Sequence, residues 1–107
     1  MGLASSWKTA TIANGAAVSD EVNMGAAYQK VIIIMPNLTT DAGATIQVSD
    51  ISGGTFVTLY GLYLTTPGAV NVPKSMASVV EINGVEYLKV KVITNQGAER
   101  KVYIRGV

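Results

Sequence analysis

Short runs of β-branched residues, interrupted every few positions by Gly and Asn, limit what this chain can fold into. No segment repeats apolar residues at helical spacing over three turns, so we expect no helix longer than one turn. Eight short strands at this spacing are typical of an all-β sandwich or barrel. The predicted strands span residues 7–12, 18–24, 30–35, 45–49, 55–64, 78–82, 86–93 and 101–105.

Turn signals divide the predicted strands. Asn83-Gly84 predicts a hairpin between the strands at 78–82 and 86–93, because both residue types tolerate a positive φ. Asn14-Gly15 predicts a turn after the first strand, and residues 65–75 read as a long loop. We therefore predict one antiparallel β-sandwich, jelly-roll-like or Greek-key, over residues 9–107, preceded by an N-terminal arm at residues 1–8.

Hydropathy within the strands predicts their layers. In residues 87–92, apolar Leu88, Val90 and Val92 alternate with polar or amphipathic residues, which indicates a strand with one buried and one wet face. Residues 31–35 (VIIIM) are apolar on both faces. We expect that strand to be central, with its second face covered by a loop or by another subunit.

The last two predicted strands point to an interaction surface. If they form a hairpin with Leu88, Val90, Val102 and Ile104 facing inward, the opposite face collects cations and aromatics. That arrangement resembles single-strand nucleic-acid binders, but a pI near 8.0 is below the ~9 typical of them, so a partner-facing surface is favoured. The predicted partner-binding residues are Trp7, Lys89, Lys91, Lys101, Tyr103 and Arg105, with Tyr87 beside them.

Composition excludes several chemistries. The chain has no Cys and no His, which rules out disulfides, a thiol nucleophile, a Cys/His zinc site and any Ser-His pair. No acidic pair or Asp-x-Asp ligand spacing stands out. We predict no catalytic residue, no cofactor and no metal site, and therefore no enzyme. A net charge of +1 and the lack of an apolar run of about 18 residues argue against nucleic-acid and membrane partners.

Low surface charge predicts association. Charged residues make up 14% of the chain, against about 25% in ordinary soluble domains, so the surface is poorly defended against other proteins. We expect a subunit of a homo-oligomer, a trimer. The scarce aromatics Trp7, Tyr28, Phe56, Tyr60 and Tyr63 are predicted to fill the core, and a sugar-stacking platform is the alternative.

Five segments occur in an order that resembles short structural proteins of tailed bacteriophages. They are residues 10–19 (ATIANGAAVS), the apolar strand ending in Met35-Pro36-Asn37, 51–60 (ISGGTFVTLY), 84–92 (GVEYLKVKV) and 95–104 (NQGAERKVYI). The resemblance spans residues 9–107 and is strongest to capsid decoration (cement) proteins.

The resemblance implies a non-enzymatic virion protein that binds the major capsid protein on the outer capsid surface and stabilises the shell. In that case the N-terminal arm is expected to lie across a neighbouring subunit, anchored by Trp7. The alternative is a tail or baseplate component that acts as an adhesin-like glycan-binding module.

Overall fold

Two antiparallel sheets form the fold in the computed structural model, which describes residues 6–39, 43–61, 68–82 and 84–107. The strands are β1 (Lys8–Ile12), β2 (Val22–Asn23), β3 (Lys30–Ile34), β4 (Ala44–Ser49), β5 (Val57–Thr58), β6 (Tyr60–Gly61), β7 (Gly68–Ala69), β8 (Asn71–Val72), β9 (Ala77–Glu81), β10 (Tyr87–Val92) and β11 (Arg100–Gly106). No helix occurs in these ranges, and hence none that could span a membrane.

The strand order is that of a jelly roll. The first sheet runs β1-β11-β3-β9 and the second runs β2-β10-β4-β5, with β8 also pairing with β4 and a separate ladder joining β6 to β7. From β1 to β4 and from β8 to β11 successive strands alternate between the two sheets, whereas β4, β5 and β8 all belong to the second sheet, as in a jelly roll built from two Greek keys. The predicted antiparallel β-sandwich is confirmed, and of its two candidate topologies the structure has the jelly roll.

The core lies between the two sheets and is aliphatic. Alternating residues of each strand point inward, and the central strands contribute the fully buried side chains Ile33 and Ile104 from the first sheet and Ile46, Leu88 and Val90 from the second. The alternation predicted for residues 87–92 is confirmed. The radius of gyration is 12.9 Å, close to the ~13 Å typical of a folded chain of 100 residues.

Both predicted hairpins are wrong. Residues flanking Asn83-Gly84 belong to β9 and β10, which lie in different sheets, and β10 and β11 are separated in the same way. Gly84 does adopt a positive φ of 87°, while Asn83 lies outside the described residues. The chain therefore crosses from one sheet to the other between β9 and β10. The sequence does not show this crossing, because the alternation of polar and apolar residues is the same whichever sheet receives the next strand.

Two further strand predictions and one loop prediction differ from the structure in extent. The strand predicted at 55–64 is divided into β5 and β6, and its residues 62–64 lie outside the described ranges. The strand predicted at 18–24 is reduced to β2 and an isolated bridge between Val18 and Lys91. The predicted loop at 65–75 contains β7 and β8, with residues 65–67 outside the description. The turn at Asn14-Gly15 is confirmed, with a φ of 85° at Gly15.

The N-terminal end of the described chain runs directly into the first sheet. Lys8, within the predicted arm, pairs with Ile104 as the first residue of β1, and residues 1–5 lie outside the description. The outer edge of β1 is closed by Asp20: its carboxylate accepts a hydrogen bond from the Thr11 amide at 2.8 Å, and its own amide donates to the Thr11 carbonyl at 3.1 Å. This edge therefore offers no room for another strand at Thr11.

Candidate functional site

The outer faces of the two sheets divide the predicted partner-binding residues. Because β10 and β11 lie in opposite sheets, Lys89 and Lys91 face one side of the molecule, whereas Lys101, Tyr103 and Arg105 face the other. The prediction that they share one surface is wrong. Strand alternation predicted correctly that each points outward, but it contains no information on which sheet each strand joins.

The outer face of the first sheet carries a group of apolar side chains between charged residues at its ends. Strand register places Arg105 opposite Ile32 and Ile32 opposite Val79, while Tyr103 lies opposite Ile34 in the neighbouring row. Val79 is 64% exposed, Trp7 43%, Tyr103 42% and Ile34 41%. We call this surface the apolar face; its members are Trp7, Ile32, Ile34, Val79 and Tyr103.

Trp7 belongs to the apolar face through a contact with Arg105. The Arg105 guanidinium carbon lies 5.8 Å from the centre of the Trp7 ring, within the range of a cation–π interaction. Lys8 pairs with Ile104, so Trp7 continues β1 beside Arg105 and its ring extends the face beyond the strand. The structure thus brings together three of the predicted partner-binding residues, Trp7, Tyr103 and Arg105.

Two of the aromatics predicted to fill the core are exposed. Trp7 lies on the apolar face and Tyr60 is 56% exposed, so the prediction is wrong for both. Tyr28 packs against the core and Phe56 is partly buried, while Tyr63 lies outside the described residues. The aliphatic side chains of the two inner faces fill the sandwich without the larger rings.

The strand that is apolar on both sides is central, as predicted. β3 lies between β11 and β9, with Val31 and Ile33 in the core and Ile34 pointing outward. No loop within the described part of the chain covers Ile34. The sequence indicated this strand, but the exposed Val79 on β9 was not predicted. Its signal was the adjacent pair Val79-Val80, because a strand with one buried face needs only one of two adjacent residues to be apolar.

The outer face of the second sheet is polar. Its middle consists of Gln47, Lys89, Thr45 and Lys91, paired across β4 and β10, with Glu21 beside Lys89; we call these five residues the polar face. The Lys89 Nζ lies 4.5 Å from the centre of the Phe56 ring, a second cation–π contact. Lys89 therefore makes contacts within its own chain, as Arg105 does with Trp7, but its neighbours on the polar face are hydrophilic.

Glu21 fastens the turn at residues 51–54 to the polar face. Its carboxylate accepts hydrogen bonds from the Gly53 amide at 2.7 Å and the Ser52 hydroxyl at 2.6 Å. The Gly53 amide, followed by the Ser52 hydroxyl, lowers the pKa of Glu21 below its usual value, and nearby Lys89 acts in the same direction. The charged form is thus the one that holds the turn.

Glu21→Gln is expected to lower the midpoint of thermal unfolding at neutral pH, because a neutral amide accepts these bonds less well. A pKa that is lower in the folded state gives stability above the unfolded-state pKa, and this stability is lost as the pH falls through the folded-state pKa. The gap between variant and wild type should therefore close in acid. The control is Glu99→Gln at an exposed carboxylate outside the cluster; a gap independent of pH would contradict the carboxylate's role.

A shallow depression lies at one end of the polar face. Its volume is about 170 Å³, and its polar lining comes from Thr45, Thr58, Asn71 and Lys91. None of the lining residues is acidic, and no three acidic residues cluster as a possible metal site within the ranges described. One cation with hydroxyl and amide groups provides hydrogen bonding but no acid–base pair.

Comparison with known proteins identifies the fold. No protein-family profile and no curated protein sequence matches this chain. The crystal structure of the SPBc2 prophage-derived protein YomS aligns over 99% of this chain and 96% of its own, with a TM-score of 0.63 and 13% identity. At that identity the likeness shows a shared fold. A chain of the cyanophage Pam1 capsid asymmetric unit aligns over 98% of this chain and 85% of its own with 16% identity, but its TM-score of 0.33 is too low to support an argument.

Proposed function

We propose that this chain is a non-enzymatic phage structural protein that binds the major capsid protein on the outer surface of the shell and stabilises it. The observation that carries the proposal is the apolar face, which leaves Trp7, Tyr103, Ile34 and Val79 exposed together on one sheet. Two facts support it: jelly rolls are common in viral capsid domains, and the similar structure YomS is prophage-derived. The first fact concerns the fold, and the second concerns the origin of the similar protein.

The composition of the apolar face is that of a binding hot spot. Trp, Tyr and Arg are the residue types that contribute most at protein interfaces. Trp7 and Tyr103 belong to the apolar face, and Arg105 lies beside it in contact with the Trp7 ring. Isolated exposed apolar residues are ordinary, but a contiguous group is typical of an interaction site. A shell protein needs such a rigid docking surface and no catalytic groups.

The polar face is a weaker candidate for the contact. Lys89 lies over Phe56 and beside Glu21, and Lys91 borders the shallow depression. We therefore assign the shell contact to Trp7, Tyr103 and Arg105, with Lys101 on the same side of the sheet. We expect Lys89 and Lys91 to face solvent. Each face can be tested separately, because they lie on opposite sides of the molecule.

Tyr103→Ala combined with Ile34→Ala is expected to weaken binding to purified phage heads by about tenfold or more, the effect of losing hot-spot contacts. The assay is quantitative pelleting with separated heads and tails, counting bound copies per particle. Lys89→Ala combined with Lys91→Ala is the matched control on the polar face, and it should bind like wild type. Equal loss in both variants would contradict the assignment of the contact.

Wild-type saturation on heads, in ratio with the major capsid protein, would support the proposal, and binding to neither heads nor tails would refute it. A few copies confined to tails would favour the second candidate, an adhesin-like glycan-binding module. The exposed ring of Tyr60 and the frequency of jelly rolls among lectins favour that candidate. Binding to a glycan array that is lost in Tyr60→Ala would then support it.

A further inference from the structure

The β9 edge of the first sheet has an open row of backbone groups. The Met35 amide bonds to the Met76 carbonyl and the Ile82 amide to the Gln29 carbonyl, so even-numbered residues of this strand direct their backbone toward β3. By alternation, Ala77, Val79 and Glu81 direct their N–H and C=O groups away from the sheet. No strand pairs with that side of β9 among the residues described.

Among the residues described, this edge lacks the usual protection against pairing. Natural edge strands are blunted by lysine, proline, bulges, short length or a covering loop. β9 is a regular five-residue strand with no Lys or Pro, and its middle residue Val79 is exposed. The opposite edge of the same sheet is closed by Asp20, so the fold protects one edge and leaves the other open.

We propose that β9 pairs with β9 of a second copy of this chain, antiparallel about a twofold axis, with Val79 opposite Val79. The homo-oligomer is then a dimer and not the trimer expected from the sequence. In this register Ala77 lies opposite Glu81 of the second copy, and all three outward-directed residues form ladder hydrogen bonds. The interface is isologous, since the same strand supplies both sides. The two first sheets become one continuous sheet.

Charge and surface continuity select this register. Glu81 is the charged residue of β9 and stands at its end, so antiparallel pairing centred on Val79 places the two carboxylates at opposite ends of the interface. Pairing centred on Glu81, or parallel pairing, brings like charges together, which is unfavourable. The register also joins the exposed row Ile32 to Val79 in one copy with the same row in the other, so the apolar face continues across the axis.

Val79→Lys is expected to convert the dimer to a monomer, because lysine on an edge strand opposes pairing. The mass of the purified protein is measured by light scattering after size exclusion across a concentration series. Val57→Lys is the matched control: Val57 is 59% exposed on a strand of the other sheet and should leave the dimer intact. A monomeric or trimeric wild type, or a dimer that survives Val79→Lys, would overturn the proposal.

A cross-link tests the register, and the absence of native cysteine makes it unambiguous. Directly opposed residues in a hydrogen-bonded antiparallel pair have Cα atoms about 5.5 Å apart, within the range for a disulfide. Val79→Cys should therefore form a covalent dimer with oxidised glutathione. Glu81→Cys should not, since the register separates the two introduced thiols by four residues, about 13 Å. A cross-link through Glu81→Cys alone would refute the register.

Hydrogen exchange separates edge pairing from association through the apolar face. Edge pairing should protect the Ala77 and Glu81 amides in the wild type, and Val79→Lys should expose them to fast exchange. A dimer in which these amides exchange quickly would contradict the proposal. The tests use the protein alone, so they are independent of the proposed capsid binding.

Discussion

Replacing Ile33 with alanine is expected to destabilise the fold by about 2–5 kcal/mol. Ile33 is 0% exposed on the central strand β3, and truncation leaves a cavity between the two sheets that the surrounding strands can only partly close. A domain of this size has a total stability of about 5–15 kcal/mol, so the loss is a large part of it. Urea unfolding followed by tryptophan fluorescence measures the change in free energy.

Ile34→Ala provides the matched control, because it makes the same chemical change one residue further along the same strand. Ile34 points outward on the apolar face, so its truncation should change the free energy of unfolding by less than about 1 kcal/mol. The effect of Ile34→Ala is expected in binding instead. Equal destabilisation by the two substitutions would contradict the placement of Ile34 on an exposed face.

Replacing Gly106 with alanine is expected to destabilise the fold by about 1–3 kcal/mol through overpacking. Gly106 ends β11 opposite Val31, and a methyl group built on its Cα would overlap with the Tyr28 ring. The backbone of Gly106 has no positive φ, so the penalty comes from the close approach of the ring. Thermal and urea unfolding both report the change.

Gly97→Ala is the control, because a methyl group there meets no atom closer than 3.8 Å and the φ is not positive. It should be neutral or slightly stabilising. Adding Tyr28→Ala to Gly106→Ala should cost less than the sum of the two single changes, since the overlap disappears with the ring. Strict additivity would show that the ring does not determine the need for glycine at position 106.

Local pattern accounts for what the sequence predicted correctly. Alternation in residues 87–92 indicated which side chains are buried, and the doubly apolar run at 31–35 indicated a central strand. Both depend on the period of a strand, which a short window of sequence contains. The short strands and the turn signals between them were enough to indicate an antiparallel sandwich.

The assignment of strands to sheets could not be predicted in this way. In a sandwich both inner faces are apolar, so β10 and β11 show the same alternation whether they are neighbours or lie in opposite sheets. The pairing of Lys8 with Ile104 depends on how the whole chain closes. The predicted site therefore combined two groups of residues from opposite faces: Trp7, Tyr103 and Arg105, which the structure brings together, and Lys89 and Lys91.

The position of β11 between β1 and β3 has a consequence during biosynthesis. β1 has β11 as its partner in the first sheet, and β3 is bonded on one side to β9 and on the other to β11. β1 and one edge of β3 therefore have no partner strand until residues 100–106 have left the ribosome. Translation adds about 5–20 residues per second, which sets how long this interval lasts. The first sheet can therefore be completed only after residues 100–106 have been made.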